Sequence, residues 1–279
     1  MIQDNSFFLA GNRTGILLIH GLTGTPNEVR GIARNFHQEG YSVYGVQLAG
    51  HCGNIDDLIQ TTWQDWYQSV CNAAEILKQS TDQIFIAGLS MGALLALKYA
   101  SEYHVDGIIS YSPTFKYDGW SIPLWSKLIA PVALPIVSKI NYLKHNAFDE
   151  AEPYGIQNES LRQRIVTAMN SGDSSEAGLP GNPWISLRQL QKLSRNVRQN
   201  LSAITAPCLC LHAYDDDIAH RKNSEIIYNK ILSSDKKLIW LYKSYHMITI
   251  DNDRKQVITE SLQFIQENIA VPESKSVQP

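Results

Sequence analysis

Two periodicities run through the chain. Short, almost wholly apolar runs alternate with longer stretches whose apolar residues recur every three or four positions. The first pattern predicts strands buried on both faces, the second amphipathic helices. Gly15 to Ile19 is the first apolar run, and it ends in the loop His20-Gly21-Leu22-Thr23-Gly24-Thr25-Pro26. A helix follows, with Val29, Ile32, Ala33 and Phe36 on one face. Thr25 and Glu28 are spaced as its capping box, Pro26 falls at the first helical position, and Gly40 stops it. Tyr41 to Leu48 reads as the next strand. A second helix starts near Thr62, with Asp65 as box partner. Its stripe of Trp63, Trp66, Tyr67, Val70, Cys71, Ala74 and Leu77 reads as core rather than as an aromatic platform. Strands are predicted at Gln83 to Ala87, Val105 to Tyr111, Cys208 to Ala213 and Leu238 to Tyr242. Helices are predicted at Ala93 to Ala100, Ser224 to Leu232 and Arg254 to Ile269. The last presents Val257, Ile258, Leu262, Ile265 and Ile269 to the core.

Strands alternating with helices predict an α/β fold, a mostly parallel sheet with helices on both faces. Residues 113–202 break the alternation. They hold Trp120, Trp125 and Trp184, several prolines, and a polar piece at Asn170 to Gly178. We read them as an inserted cap, or lid, folding over the C-terminal ends of the strands. Ser186 to Leu201 within it is helical, with Leu187, Leu190, Leu193, Val197 and Leu201 in register. The core is then 1–112 and 203–271, and 272–279 reads as a disordered tail. Trp120 to Ile140 is apolar enough to imitate a membrane span. Lys127, Lys139, Pro123, Pro131 and Pro135 argue against one.

Composition narrows the classes. A length of 279 residues suits one large domain, or one with an insertion. The formal net charge of −3, with 18% charged residues, offers no basic field for nucleic acid. Cys52, Cys71, Cys208 and Cys210 form no C-x-x-C pair and read as free thiols in a reducing compartment. Met1 to Gly11 has neither a basic n-region nor a long apolar stretch, so no signal peptide is read there. A cytoplasmic location is the expectation.

The candidate chemistry centres on Gly88-Leu89-Ser90-Met91-Gly92, between an apolar strand and a helix. Strand, G-x-S-x-G, helix is the context of a nucleophile elbow. Gly88 and Gly92 let strand and helix crowd around Ser90, and the helix start supplies unpaired N–H groups. A serine hydroxyl needs a base, and the base an orienter. Of eight histidines, His246 lies in a short loop after a predicted strand, on the sheet edge shared with the elbow. His220 is its competitor. His37 and His104 read as surface residues, His212 as packed within a strand, and His145 is unassigned. The orienter belongs at the end of an earlier strand, where Asp215-Asp216-Asp217 stands. Asp216 is the choice and Asp217 the alternative. Two backbone N–H groups, of Leu22 and Met91, would form an oxyanion hole, with Gly21 allowing close approach of the backbone. His20 reads as structural, its ring shaping that loop.

With these residues in place, the sequence resembles the bacterial monoacylglycerol lipase and carboxylesterase family of α/β hydrolases. The matching stretches are His20 to Pro26, Leu48-Ala49-Gly50-His51, Thr61 to Trp66, Gly88 to Gly92, Asn223 to Tyr228 and Ser244 to Asp251. The resemblance places the triad acid seven residues before Asn223, at Asp216. It implies hydrolysis of monoacylglycerols or short- to medium-chain acyl esters through Ser90, His246 and Asp216, with no cofactor and no metal. The same triad would serve a thioesterase or an acyltransferase. The chain departs from the family at Ala93, where a second glycine is common, at Cys52, and at Asp217 to His220. No departure removes a catalytic atom. The partner implied is a small acyl ester. Trp120 to Ile140 is read as lining the acyl pocket, as ordinary cap core, or as touching a lipid surface transiently. No oligomeric state is implied.

Overall fold

The computed structural model describes residues 2–138, 140, 143, 145–149, 152–170 and 173–269. The 272–279 tail lies outside the described residues. Nine strands and ten α-helices follow in chain order: β1 (Phe7–Leu9), β2 (Thr14–Ile19), α1 (Asn27–Gln38), β3 (Ser42–Val46), α2 (Ile55–Ile59), α3 (Trp63–Lys78), β4 (Gln83–Leu89), α4 (Met91–Ala100), β5 (Gly107–Tyr111), α5 (Leu124–Val137), β6 (Ala147–Asp149), α6 (Glu159–Met169), α7 (Ser174–Ala177), β7 (Gly181–Pro183), α8 (Trp184–Asn200), β8 (Cys208–Ala213), α9 (Lys222–Lys230), β9 (Lys236–Leu241) and α10 (Arg254–Asn268), all among the described residues.

Seven strands form one sheet in the order β1-β3-β2-β4-β5-β8-β9. Only β1, at the edge, is antiparallel. The other pairings are parallel. Alternate side chains of a strand face opposite ways, so β2 feeds two cores. Leu17 and Ile19 join the layer of α3, α4, α8 and α9, while Ile16 and Leu18 join that of α1 and α10. All the residues of α4 are buried, as befits a helix wedged between sheet and outer helices. Val29, Ile32, Ala33 and Phe36 of α1 are fully buried, on the face the sequence predicts.

Parallel strands end on one edge, so the loops after β2, β4, β8 and β9 share it. These loops carry Leu22, Ser90, Asp216 and His246. Between β5 and β8 runs the stretch from α5 to α8, with a small antiparallel pair of β6 and β7. Its last helix behaves as part of the layer on the sheet, since Leu190, Leu193 and Val197 pack in the same cluster as α3 and α4. Helix α5 buries no residue and contains Pro131 and Pro135. Among the described residues no helix is long and apolar enough to cross a membrane.

One local expectation is corrected. The Thr25 hydroxyl accepts from Asn27 N–H, not from Glu28 N–H as a capping box requires, and the Glu28 carboxylate accepts the Gly21 amide at 2.9 Å. The chain curls back at Gly21, and an acceptor on the first helical turn reaches that amide. At α3 the box partners do meet: Asp65 accepts from both the amide and the hydroxyl of Thr62.

Candidate active site

Ser90 has φ 58° and ψ −115°, a conformation a residue with a side chain rarely adopts. The strand-to-helix turn imposes it. A Cβ on Gly88 would stand 2.2 Å from the Gly92 carbonyl carbon, and one on Gly92 would stand 2.3 Å from the Ile19 oxygen. Only bare backbone fits at both, and the Ser90 amide is anchored on the Tyr111 carbonyl at 2.9 Å. Met91 is the first residue of α4, so its N–H is among those that no earlier helical turn can satisfy. The buried Ser90 hydroxyl lies 3.0 Å from Thr114 Oγ1, which donates in turn to the Ser112 carbonyl. Thr114 had no signal in the sequence: it follows a strand and a proline and belongs to no motif.

The three aspartates divide cleanly. Asp216 Oδ2 lies 2.7 Å from His246 Nδ1, both groups buried. Asp216 Oδ1 accepts the amides of Ile218 and Ala219, which fixes the carboxylate plane. Asp217 instead accepts the amides of Gly155 and His246. The Asp215 carbonyl takes the indole N–H of Trp120. Burial acts to raise the Asp216 carboxyl, but the His246 charge and hydrogen bonds from His212 and His246 outweigh it and hold the group well below the usual carboxylate range. Asp217 goes the other way. Burial, reinforced by the neighbouring Asp216 charge, pushes it up to about 6.

His212 is packed within β8 as expected, yet it also touches the site. Its Nε2 lies 2.8 Å from the Ala219 carbonyl and 3.1 Å from Asp216 Oδ2, and its Nδ1 faces Ser224 Oγ at 2.8 Å. A carbonyl can only accept, so Nε2 carries the proton and donates toward both oxygens. A histidine in an apolar strand reads as core, and that reading hid this second donor to Asp216.

The other histidines lie elsewhere. His104 is exposed and His145 pairs with Asp56. The His220 amide donates to Asp118, and its ring accepts from Lys222 N–H. His20 shapes the loop after β2: Nε2 accepts the Leu48 amide, so Nδ1 carries the proton and donates to the Gly21 carbonyl. Burial, then the nearby His51, keeps the His20 ring far below its ordinary value, and burial brings His51 to about 4. Both rings are neutral near pH 7.

Gly21 needs correction. A Cβ there would meet Ser90 Cβ and Glu28 Oε2 at 3.5 Å, an ordinary contact, so close backbone approach does not require glycine. Gly21 does line the cavity at Ser90, and a methyl group would narrow it. That cavity holds about 70 Å³ and is bounded by Leu22, Ser90, Tyr117, Tyr154, Ile165 and His246, among others. The stretch between β5 and β8 is tied to its rim. Met247 N–H donates to the Gly155 carbonyl, and Asp251 accepts the amides of Gln157, Asn158 and Tyr245. The polar piece before β7 packs on the β2 loop, where Leu179 N–H donates to Thr23 and the Asn27 side chain to Ser175 and Glu176. Among the described residues no cluster of three or more histidine, cysteine or acidic side chains could hold a metal.

A strained serine and a buried His–Asp pair on one sheet edge are what a serine hydrolase needs, and comparison with known proteins agrees. The family described as serine aminopeptidase, S33, matches residues 11–253. This chain belongs to that family. Among its relatives, the thermostable monoacylglycerol lipase of Bacillus sp. (strain H-257) is 30% identical over 260 residues, covering 92% of each chain. The carboxylesterase of Bacillus subtilis (strain 168) is 26% identical over 277 residues, covering 95% of this chain and 98% of the other. A solved structure from work on the metagenome-derived lipolytic enzymes LipS and LipT superposes with a TM-score of 0.78 at 26% identity, covering 94% of this chain and 97% of that one. The Paleococcus ferrophilus monoacylglycerol lipase reaches the same TM-score at 15% identity, covering 96% of this chain and 100% of that one, which speaks to the α/β-hydrolase fold alone.

Proposed function

We propose that this S33-family chain cleaves carboxylic esters, monoacylglycerols or short- to medium-chain acyl esters, through an acyl-enzyme on Ser90. The observation that carries the proposal is the buried His246–Asp216 contact of 2.7 Å on the cavity that Ser90 also lines. The Ser90 hydroxyl turns from Thr114 to His246 Nε2, gives up its proton there, and attacks the acyl carbonyl. Asp216 orients the ring and balances the imidazolium. The Leu22 and Met91 N–H groups receive the developing oxyanion. Collapse expels the alcohol, which takes the proton from His246. Water, deprotonated by the same ring, then attacks the acyl-enzyme, and the acid leaves as Ser90 regains its hydrogen.

Ser90→Ala is expected to lower kcat on p-nitrophenyl butyrate by roughly a thousandfold or more, and to abolish labelling by a fluorophosphonate. Wild-type turnover in the alanine variant would overturn the proposal. A panel of monoacylglycerols, simple esters, a thioester and an aminoacyl amide, ranked by kcat/KM, tests the substrate class. A higher value on thioester or amide would overturn the ester assignment.

Of residues 113–202, those before α8 serve in this reading as a cap, supported by Tyr154 and Ile165 on the Ser90 cavity. The exposure of Leu124, Leu128 and Val132 supports transient contact of α5 with a lipid surface. Leu128→Asp with Val132→Asp is then expected to slow hydrolysis of emulsified esters and to spare soluble ones. Equal loss on both would count against the contact. The free thiols of Cys208 and Cys210, in hydrogen-bond contact at 4.0 Å, support a reducing compartment and hence the cytoplasm.

A further inference from the structure

A cavity of about 560 Å³ lies between α5 and α8, far larger than the one at Ser90. It falls within the usual range of small-molecule sites, roughly 300–1,000 Å³. Among the described residues Tyr117 alone borders both. The walls are aliphatic and aromatic, with Ile122, Leu134, Phe148, Leu187 and Leu190 among them. The charges on its lining are lopsided: Lys116, Lys127, Arg195, Arg198 and Lys230 against Asp118. Asp118 is already engaged, accepting the His220 amide and the Asn223 side-chain amide. Among the described residues none of the five basic side chains takes part in an ion pair.

Lys116, Arg195 and Lys230 reach solvent at the rim while the body of the space is apolar, so an anion with an apolar tail matches both parts. Arg195 and Arg198 stand three residues apart on α8, so they project to the same side. Arg198 is held 5.9 Å above the Phe115 ring at the cavity wall. A guanidinium fork matches a carboxylate in a way an ammonium does not. We infer that this cavity binds a medium-chain carboxylate, its alkyl body among Ile122, Leu134 and Leu190 and its head on Arg195 and Arg198. The aliphatic walls select a fatty acid over a small polar anion. The inference does not rest on the role of Ser90.

Calorimetric titration with decanoate tests it. Saturable binding at one equivalent is expected, with decanol weaker by about tenfold or more. Arg195→Gln with Arg198→Gln is expected to weaken decanoate by about tenfold or more, while decanol binding and p-nitrophenyl butyrate turnover stay within about twofold. Ala130→Trp, which fills the cavity, is expected to remove binding of both ligands at an unchanged Tm. Equal affinity for acid and alcohol, wild-type decanoate affinity in the double arginine variant, or retained binding in a folded Ala130→Trp protein would each overturn the inference.

Discussion

Asp216 and Asp217 are neighbours in sequence and both are buried, yet their surroundings drive them in opposite directions. From an unfolded value of 3.8, Asp217 rises to about 6 in the folded chain. Between those values the native state holds a proton that the unfolded chain has released, so stability falls as pH rises through this window and levels off above it. Asp216 is depressed, so its contribution is present at neutral pH and is lost only in acid below 3.8. The two windows do not overlap. Urea titrations from pH 4 to pH 7 should therefore show wild-type stability falling relative to Asp217→Asn, by on the order of 2 kcal/mol. A constant difference would refute the assignment. His212 gives a second expectation. His212→Phe removes one donor from Asp216 and should lower kcat about tenfold with KM unchanged, whereas His212→Gln, which keeps an N–H, should recover part of it. The sequence put Ser90, His246 and the run 215–217 on one sheet edge because each follows an apolar strand, but only the family resemblance separated Asp216 from Asp217. His212 and Thr114 were not legible, because a side chain's reach across the fold leaves no mark on its own sequence neighbourhood.

Among the elements, the strand–elbow–helix unit of β4 and α4 is the most tightly determined. Gly88→Ala would drive a methyl group into the Gly92 backbone, and soluble, folded protein is not expected from it. Gly31, in the interior of α1, is the opposite case: a Cβ there meets nothing within 4 Å. Gly31→Ala should raise stability by about 0.5–1 kcal/mol, read as a higher Tm at unchanged activity. The helix faces of α1, α3 and α8 were readable because burial on one side leaves a 3.6-residue period in the apolar positions. The start of α1 was misread because Glu28 serves a loop amide brought to it by the fold, and a spacing of three residues cannot distinguish the two acceptor roles.

For the whole molecule, the parallel sheet could be read in advance because alternating strands and helices leave few ways to pack. Of the stretch read as an insertion, 113–202, the last helix α8 instead joins the layer of α3 and α4 on the sheet. Helices α5 and α6 of that stretch bury no residue, so no periodic stripe records how they lie. The Asp251 carboxylate has a mechanical corollary. It holds the backbone amides of Gln157 and Asn158 and one from the histidine loop at once, and Gly155 is clasped between Met247 and Asp217. Residues 155–158 are thus riveted to the same frame as the imidazole. Were α5 or α6 to shift, the backbone would have to hinge on either side of residues 155–158, which stay bonded to the His246 loop.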